Sequence, residues 1–566
     1  MTSGIRQTTV PEAGPAPPSG QNGRGDPAAA VTTAVLLATA PAEDAPAALL
    51  PWGERTIVDR LLDQLAALGL TSIVVITRPQ WEDALRSAIE GRELVELEPS
   101  SGTAEDLRTI GRLARDGTGG LLLAGAEVVT HAEALAGLLE DSGVTSGALC
   151  AGRPLDRAFA FGTRTVRGRI MSASSAYHGV HGPTMPFLDV LKVAAANRAA
   201  VAEVADRLAR LVEPPLEPAW EEELRRKAQT WRLAPPAKEG MELEGWLAAA
   251  PEDAVSLVLV GLVRARVHVA ARDLRGFFWA RPLSPAAAAR AASEIVSYDE
   301  DRVLLDSAVK PSDGFFTTFF VSPYSKYLAR WAARRGWTPN QVTTVSLAIG
   351  LAAAVAFATG ERAGLVAGAI LLQVSFTTDC VDGQLARYTR ASSRLGAWLD
   401  SIFDRTKEYA VFAGLAIGAA HAGDPVWVLA GAALALQTVR HEIDVAYLIG
   451  EHQALASARQ PPLEQANDRR PDVATADPEA VASEPGRGVG VRVVRRGLAV
   501  WRGLNRWPAV EWLKKIVAFP IGERFAVITI TAAVAGARTT FVMLLSWGGF
   551  ATGYKMAGRV LRSVAG

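Results

Sequence analysis

Cysteine is almost absent. Cys150 and Cys380 are the two in 566 residues, too few for a disulfide framework or a cysteine-rich zinc module. Net charge is absent as well, with 59 Lys and Arg against 59 Asp and Glu. That balance argues against a global electrostatic affinity for nucleic acid, so no nucleic-acid partner is expected. The first thirty residues lack an apolar run behind a basic start. No signal peptide is expected there, and membrane insertion has to come from internal segments.

Apolar residues are plentiful: 49% of the chain, with a mean hydropathy of +0.15. That is high for a soluble protein. The length predicts two to four domains, and the apolar residues concentrate in the C-terminal half. Residues 1–30, rich in Gly, Pro, Ser and Ala without periodicity, read as a disordered tail. Residues 31–300 read as a soluble α/β domain. Val31–Ala38, Ser72–Thr77 and Leu121–Ala124 are runs of buried-strand type. Thr56–Leu68 has helical spacing at Ile57, Leu61, Leu62 and Leu65, and Ala132–Leu139 is helix-like. Strand, helix, strand, helix predicts a doubly wound parallel sheet. Residues 190–250 read as mostly helical, and Val267–Ala271 and Gly276–Ala280 as late strands.

Residues 301–338 are a polar connector. Its part Pro323–Arg335 has amphipathic spacing and carries Lys326, Arg330, Arg334 and Arg335, the pattern of an interfacial helix. Residues 339–560 read as an all-α domain of six transmembrane helices, at about 341–359, 363–386, 396–420, 426–449, 520–537 and 539–558. Each is near the ~20 residues that cross ~30 Å of hydrocarbon. The loop near 387–395 holds Arg387, Arg390 and Arg394, and the long loop 450–519 is also Arg-rich; the opposite loops hold Arg362 and Arg538. This asymmetry predicts a multi-pass protein of a bacterial plasma membrane with both termini and the soluble domain in the cytoplasm. Residues 459–489 read as disordered. Residues 490–515, with Trp501, Trp507 and Trp512, read either as an amphipathic segment on the membrane or as a helix packed on the soluble domain.

The chemistry concentrates between residues 379 and 404. Asp379 and Asp382 are three apart, and Asp400 and Asp404 four apart, so each pair shares a helix face. A short turn joins the two helices, which predicts antiparallel neighbours with four carboxylates converging at a membrane boundary. Such a cluster is costly unless paired or metal-bound. Hard oxygen ligands favour Mg²⁺ or Mn²⁺, and two ions would suit a displacement at a diphosphate. Gly383, Ala386 and Gly396 lack bulk and permit close approach. Arg387 suits phosphate by charge and geometry.

The stretch D-x-x-D-G-x-x-A-R, eight residues, G-x-x-x-D-x-x-x-D is matched at every position from Asp379 to Asp404. It resembles the signature of the CDP-alcohol phosphotransferases, over roughly residues 305–560. The resemblance implies a metal-dependent transfer of a phosphoalcohol group from a CDP-linked donor, CDP-diacylglycerol foremost, to a polyol or polyol phosphate in phospholipid synthesis, with release of CMP. It implies Asp379, Asp382 and Asp400 as metal ligands, and Asp404 as ligand or general base. Gly383, Ala386 and Gly396 would line the cytidine site and Arg387 would contact donor phosphates. A homodimer among membrane lipids is also implied. Asn340, after the N-cap Thr338 and Pro339, is similar to a nucleotide-facing Pro-Asn of the family; a purely structural role as a helix start stays open. Lys407, Arg440 and Arg524 are candidates for an acceptor or lipid phosphate, against mutual ion pairing or snorkelling. The alternative function is a catalytically silent membrane scaffold whose soluble domain binds a partner or nucleotide.

Residues 31–150 resemble the sugar-phosphate nucleotidylyltransferases in decayed form. The opening Leu36-Leu-Ala-Thr-Ala-Pro-Ala-Glu-Asp has neither Gly nor Arg. Ala47 and Ala48 stand where a Lys is expected, and Gly125-Ala126 where a metal-binding Gly-Asp is expected. The resemblance therefore implies a non-catalytic scaffold, with a regulatory nucleotide site or an atypical cytidylyltransferase as alternatives.

Overall fold

Alternation in the first strand decides how the soluble half is layered. In β1 (Val31–Ala38), Ala34, Leu36 and Ala38 pack on one side of the sheet and Val35 and Leu37 on the other, because successive side chains of a strand point to opposite faces. The computed structural model describes residues 31–141, 144–152, 161–231, 254–310, 313–457, 460–466 and 508–565.

Eight further strands complete a nine-stranded sheet: β2 (Ser72–Thr77), β3 (Val95–Pro99), β4 (Gly120–Gly125), β5 (Gly147–Cys150), β6 (Gly162–Val166), β7 (Arg169–Ala173), β8 (Met185–Val193) and β9 (Ala270–Asp273). The order is β5-β9-β7-β6-β8-β4-β1-β2-β3. Strands β3, β2, β1 and β4 are mutually parallel. The fully buried β4 then pairs antiparallel with β8, and the β6–β7 hairpin continues that half. The sheet is therefore mixed, not wholly parallel. Residues 190–193, read from sequence as helical, are the buried end of β8.

Helices cover both faces. On the Leu36 side lie α1 (Ile57–Ala67), opened by a capping box between Thr56 and Asp59, and α2 (Glu82–Ala88). The opposite face takes α3 (Thr103–Asp116), while α4 (Ala132–Leu139) returns to the first. Helices α5 (Arg198–Leu211), α6 (Pro218–Trp231) and α7 (Ala254–Arg264) join α3. The last strand signal, Trp279–Ala280, pairs with Val129–Thr130 outside the main sheet. It is followed by α8 (Pro285–Val296) and α9 (Glu300–Ala308).

The C-terminal half is helical. After α10 (Ser322–Arg334) come α11 (Pro339–Ala358), α12 (Arg362–Tyr388), α13 (Arg394–His421), α14 (Trp427–Ser457), the short α15 (Pro508–Val517), α16 (Ile521–Ala535) and α17 (Ala537–Ala565). Among the described residues, α11 and α12 are the two helices long and apolar enough to cross a membrane. Helix α16 has only 15 residues. Charged residues interrupt α13 (Asp400, Asp404, Lys407, Glu408), α14 (Arg440, Glu442, Asp444) and α17 (Lys555, Arg559).

Missing side chains bring α11, α12 and α13 close. A Cβ on Gly414 would lie 2.2 Å from the carbonyl oxygen of Ala354, and one on Gly418 would lie 2.0 Å from that of Phe357. Ser346 and Ser375 exchange hydroxyl-to-carbonyl bonds of 2.9 and 2.7 Å between α11 and α12. This is small-residue packing of the kind membrane helices use.

Residues 460–466, within the stretch read as disordered, are docked on the soluble half. Leu463 and Ala466 are buried there, and Trp220 Nε1 donates to the Glu464 carbonyl at 2.8 Å. The tail 1–30, residues 467–489 and most of the 490–515 segment lie outside the described residues.

Candidate active site

The two signature helices are set by their caps. Ser393 Oγ accepts from the Gly396 amide at 2.9 Å and starts α13, satisfying one of the unpaired amides of a helix start. Thr338 and Gln341 form a capping box at the start of α11, with Pro339 in the first turn. That places Asn340 beside α13: a Cβ on Gly396 would lie 2.9 Å from Asn340 Oδ1. Glycine at 396 is what lets the two helix starts meet.

Asp379, Asp400 and Asp404 each bring a carboxylate oxygen into one cluster, all within 4.8 Å of one another. Asp382 stands outside this trio, and its Oδ2 is buried without a hydrogen-bond partner among the described residues. Ala386 is half-buried on the same helix as Gly383, and the Arg387 guanidinium lies over Gly383, 3.4 Å from where a Cβ would stand.

Lys407 occupies the heart of the cluster. Its fully buried Nζ bonds Asp379 Oδ1, stands 2.9 Å from Asp404 Oδ1 and donates to Ser346 Oγ at 3.1 Å. The Lys407 ammonium is the internal counter-ion of Asp379 and Asp404, which is the ion-pairing arrangement the sequence also allows. Arg440 and Arg524 are also turned inward. Arg524 pairs with Glu408 through Nε at 2.8 Å and Nη2 at 3.2 Å. Both arginines donate to the Phe519 carbonyl at 3.1 Å. Arg524 thus follows the ion-pairing alternative, while Arg440 is held by backbone carbonyls.

Three residues had no signal in the sequence pattern. Ser346 ties Lys407 to α11. Gly350 makes room for it, since a Cβ there would lie 2.8 Å from Lys407 Cγ. Glu408 carries the buried pair to Arg524. A serine, a glycine and one more acid in apolar helices look ordinary until their neighbours are known.

Residues 337–449 match the CDP-alcohol phosphatidyltransferase family. That stretch is a CDP-alcohol phosphatidyltransferase domain. The chain is 28% identical over 154 residues to the bifunctional IPC transferase and DIPP synthase of Aquifex aeolicus, covering 27% of this chain and 32% of that protein. It is 36% identical over 109 residues to the phosphatidylinositol phosphate synthase of Streptomyces avermitilis, covering 19% of this chain and 42% of that one. The chain thus spans less than half the length of these curated relatives. Among solved structures, the inositol-1-phosphate CTP transferase from T. maritima aligns over 47% of this chain and 97% of its own, with 12% identity and a TM-score of 0.33.

In the soluble half, Gly125-Ala126 ends β4 and is followed by the buried Glu127. Arg281 bonds Glu127 Oε1 and also Asp189 Oδ2, the latter at 2.6 Å. The two acids, beside the central strands β4 and β8, share one internal guanidinium.

Proposed function

We propose that this chain is a multi-pass membrane transferase. It moves a phosphatidyl group from a CDP-linked lipid, CDP-diacylglycerol foremost, to a hydroxyl of a polyol or polyol phosphate, and releases CMP. The observation that carries the reading is the convergence of Asp379, Asp400 and Asp404 within a fully matched signature. The family match supports the reaction class, and a relative named for phosphatidylinositol phosphate synthesis supports a polyol-phosphate acceptor.

Two Mg²⁺ or Mn²⁺ ions are the proposed cofactor. The residues present fit them: four carboxylates stand against one ammonium, and Asp382 Oδ2 is buried without a donor among the described residues. An all-oxygen set suits hard divalent cations. Asp379, Asp382, Asp400 and Asp404 would hold them. When bound, such ions supply positive charge against the diphosphate and the charge that develops at phosphorus. The chain's own groups do the rest. Gly383, Ala386 and Gly396 leave room for the cytidine, with Asn340 at its edge, and Arg387 reaches the donor phosphates. Asp404 takes the acceptor proton, a base one turn from a ligand, and Lys407 fixes its carboxylate. Arg440 and Arg524 shape the bundle around this site.

Six spans belong to the same proposal. The charges that interrupt α13 and α16 point inward, with Glu408 and Arg524 both buried, as charged groups in membrane helices do. A cytoplasmic active site and a homodimer complete it. The soluble half is proposed as a non-catalytic scaffold, because Glu127 and Asp189 are held by Arg281. The test is CMP release by the purified protein in detergent with CDP-diacylglycerol, Mg²⁺ or Mn²⁺, and a panel of inositol, inositol phosphate, glycerol phosphate and serine. Acceptor-dependent release supports the reading and names the acceptor; no release with any acceptor, or with CDP-inositol as donor, sinks it.

A further inference from the structure

Helix α9 ends in the seam between the soluble half and the membrane domain, and guanidiniums from both sides bind its last carbonyls. Arg275 Nη1, from the soluble half, donates to the Ser307 carbonyl at 2.8 Å, and Arg387 Nε, from α12, donates to that of Ala308. Cationic groups are favoured at a helix C-terminus, but among the described residues one hydrogen bond each leaves most of their donors unused, since a guanidinium carries five N–H groups.

Both side chains line a cleft together with Arg272, Arg390, Glu133 and Asp273. Two of its cations are matched. Arg272 pairs with Asp141 at 2.9 Å, and Arg390 with Glu133 and Glu140. Arg275 and Arg387 have no carboxylate at ion-pairing distance among the described residues. Asp273, the nearest acid in sequence, spends Oδ1 on the amides of Gly152 at 2.9 Å and Arg275 at 3.1 Å. Asp313 acts on Arg387 only from farther off. Arg275 also holds a positive φ of 52°, a conformation that costs a non-glycine residue and needs a reason. Burial and the charges of Arg272 and Arg387 push its pKa down.

We propose that this cleft binds a phosphate group between the guanidinium forks of Arg275 and Arg387, so that the soluble half supplies one side of a phosphate site whose other side is α12. Planar guanidiniums match phosphate with paired hydrogen bonds. The phosphate belongs either to the diphosphate of a CDP-linked donor or to a phosphorylated polyol. The choice between these two rests on the transfer reading; phosphate binding itself does not.

The test is calorimetric titration of the full-length protein in detergent with inorganic phosphate at constant ionic strength, then with inositol phosphate and with CDP-diacylglycerol. Wild type is expected to bind phosphate, Arg275→Ala to bind at least tenfold more weakly, and Arg275→Lys to fall between. Arg275→Gln, which keeps a donor for Ser307, gives the same reading if the alanine variant misfolds. A larger loss for inositol phosphate than for CDP-diacylglycerol assigns the site to the acceptor, and the reverse assigns it to the donor. No phosphate binding by wild type, or unchanged binding in the Arg275 variants, overturns the proposal. Binding through Arg275 in a protein that releases no CMP would sink the transfer reading and leave this site standing.

Discussion

The ammonium of Lys407 stands 2.9 Å from Oδ1 of Asp404, three residues back on α13, and bonds Asp379 on α12 as well. One buried cation thereby joins the two helices that carry the signature. Removing one partner of a buried ion pair costs about 3–5 kcal/mol, because the other charge is left uncompensated. Lys407→Met is therefore expected to lower the unfolding midpoint in detergent and to cut CMP release at least tenfold. Thermal unfolding and the release assay check this together, and a variant equal to wild type in both contradicts it.

Gly350 is the space that Lys407 fills. A methyl group there meets Lys407 Cγ at 2.8 Å and Ser375 Oγ at 3.0 Å. Overpacking costs typically 1–3 kcal/mol. Gly350→Ala should lose activity by displacing Lys407, with a stability loss of about 1–2 kcal/mol. Gly414→Ala meets the immovable Ala354 carbonyl at 2.2 Å and should cost more stability than Gly350→Ala. Unfolding midpoints of the two variants, measured side by side, decide the order.

Glu408 and Arg524 are 116 residues apart and pair at 2.8 Å in the bundle interior. Glu408→Gln or Arg524→Met alone should destabilise by about 3 kcal/mol, and the double variant by less than the sum. A double-mutant cycle on the unfolding free energy reads the coupling; strict additivity contradicts a working pair.

His131 gives the soluble half a pH dependence. Its Nδ1 accepts from the Phe278 amide at 3.1 Å, and burial together with Arg60 pushes its pKa down to about 4. An unfolded histidine titrates near 6.5. The folded state thus binds fewer protons than the unfolded one between those values. Stability is full above about pH 6.5 and is lost as pH falls toward 4, by about 2 kcal/mol at pH 5. His131→Gln should shrink the difference between melts at pH 7.5 and pH 5 by that amount.

Much of this was legible from the chain alone. The bounds of β1, β2 and α4 follow from apolar runs, and the signature residues stand out by spacing. The antiparallel half of the sheet was not legible. Strands β6 and β7 are short and carry polar residues, and pairings such as Gly147 with Lys192 span long loops. The cations Lys407, Arg440 and Arg524 were legible as inward-facing charges but not in their partners. An arginine in an apolar helix has the same pattern whether it meets a lipid phosphate or Glu408. The partner is fixed by tertiary packing, which a single sequence does not display.

Phosphatidyl transfer is the role proposed for the carboxylate cluster. Its most direct test is CMP release from CDP-diacylglycerol with inositol phosphate, by wild type and Asp404→Asn, each with Mg²⁺ and then with excess EDTA. Wild type is expected to release CMP in a manner that EDTA abolishes, and the variant to lose at least a hundredfold with its fold intact by circular dichroism. Release by Asp404→Asn at the wild-type rate, or release indifferent to EDTA, would contradict it.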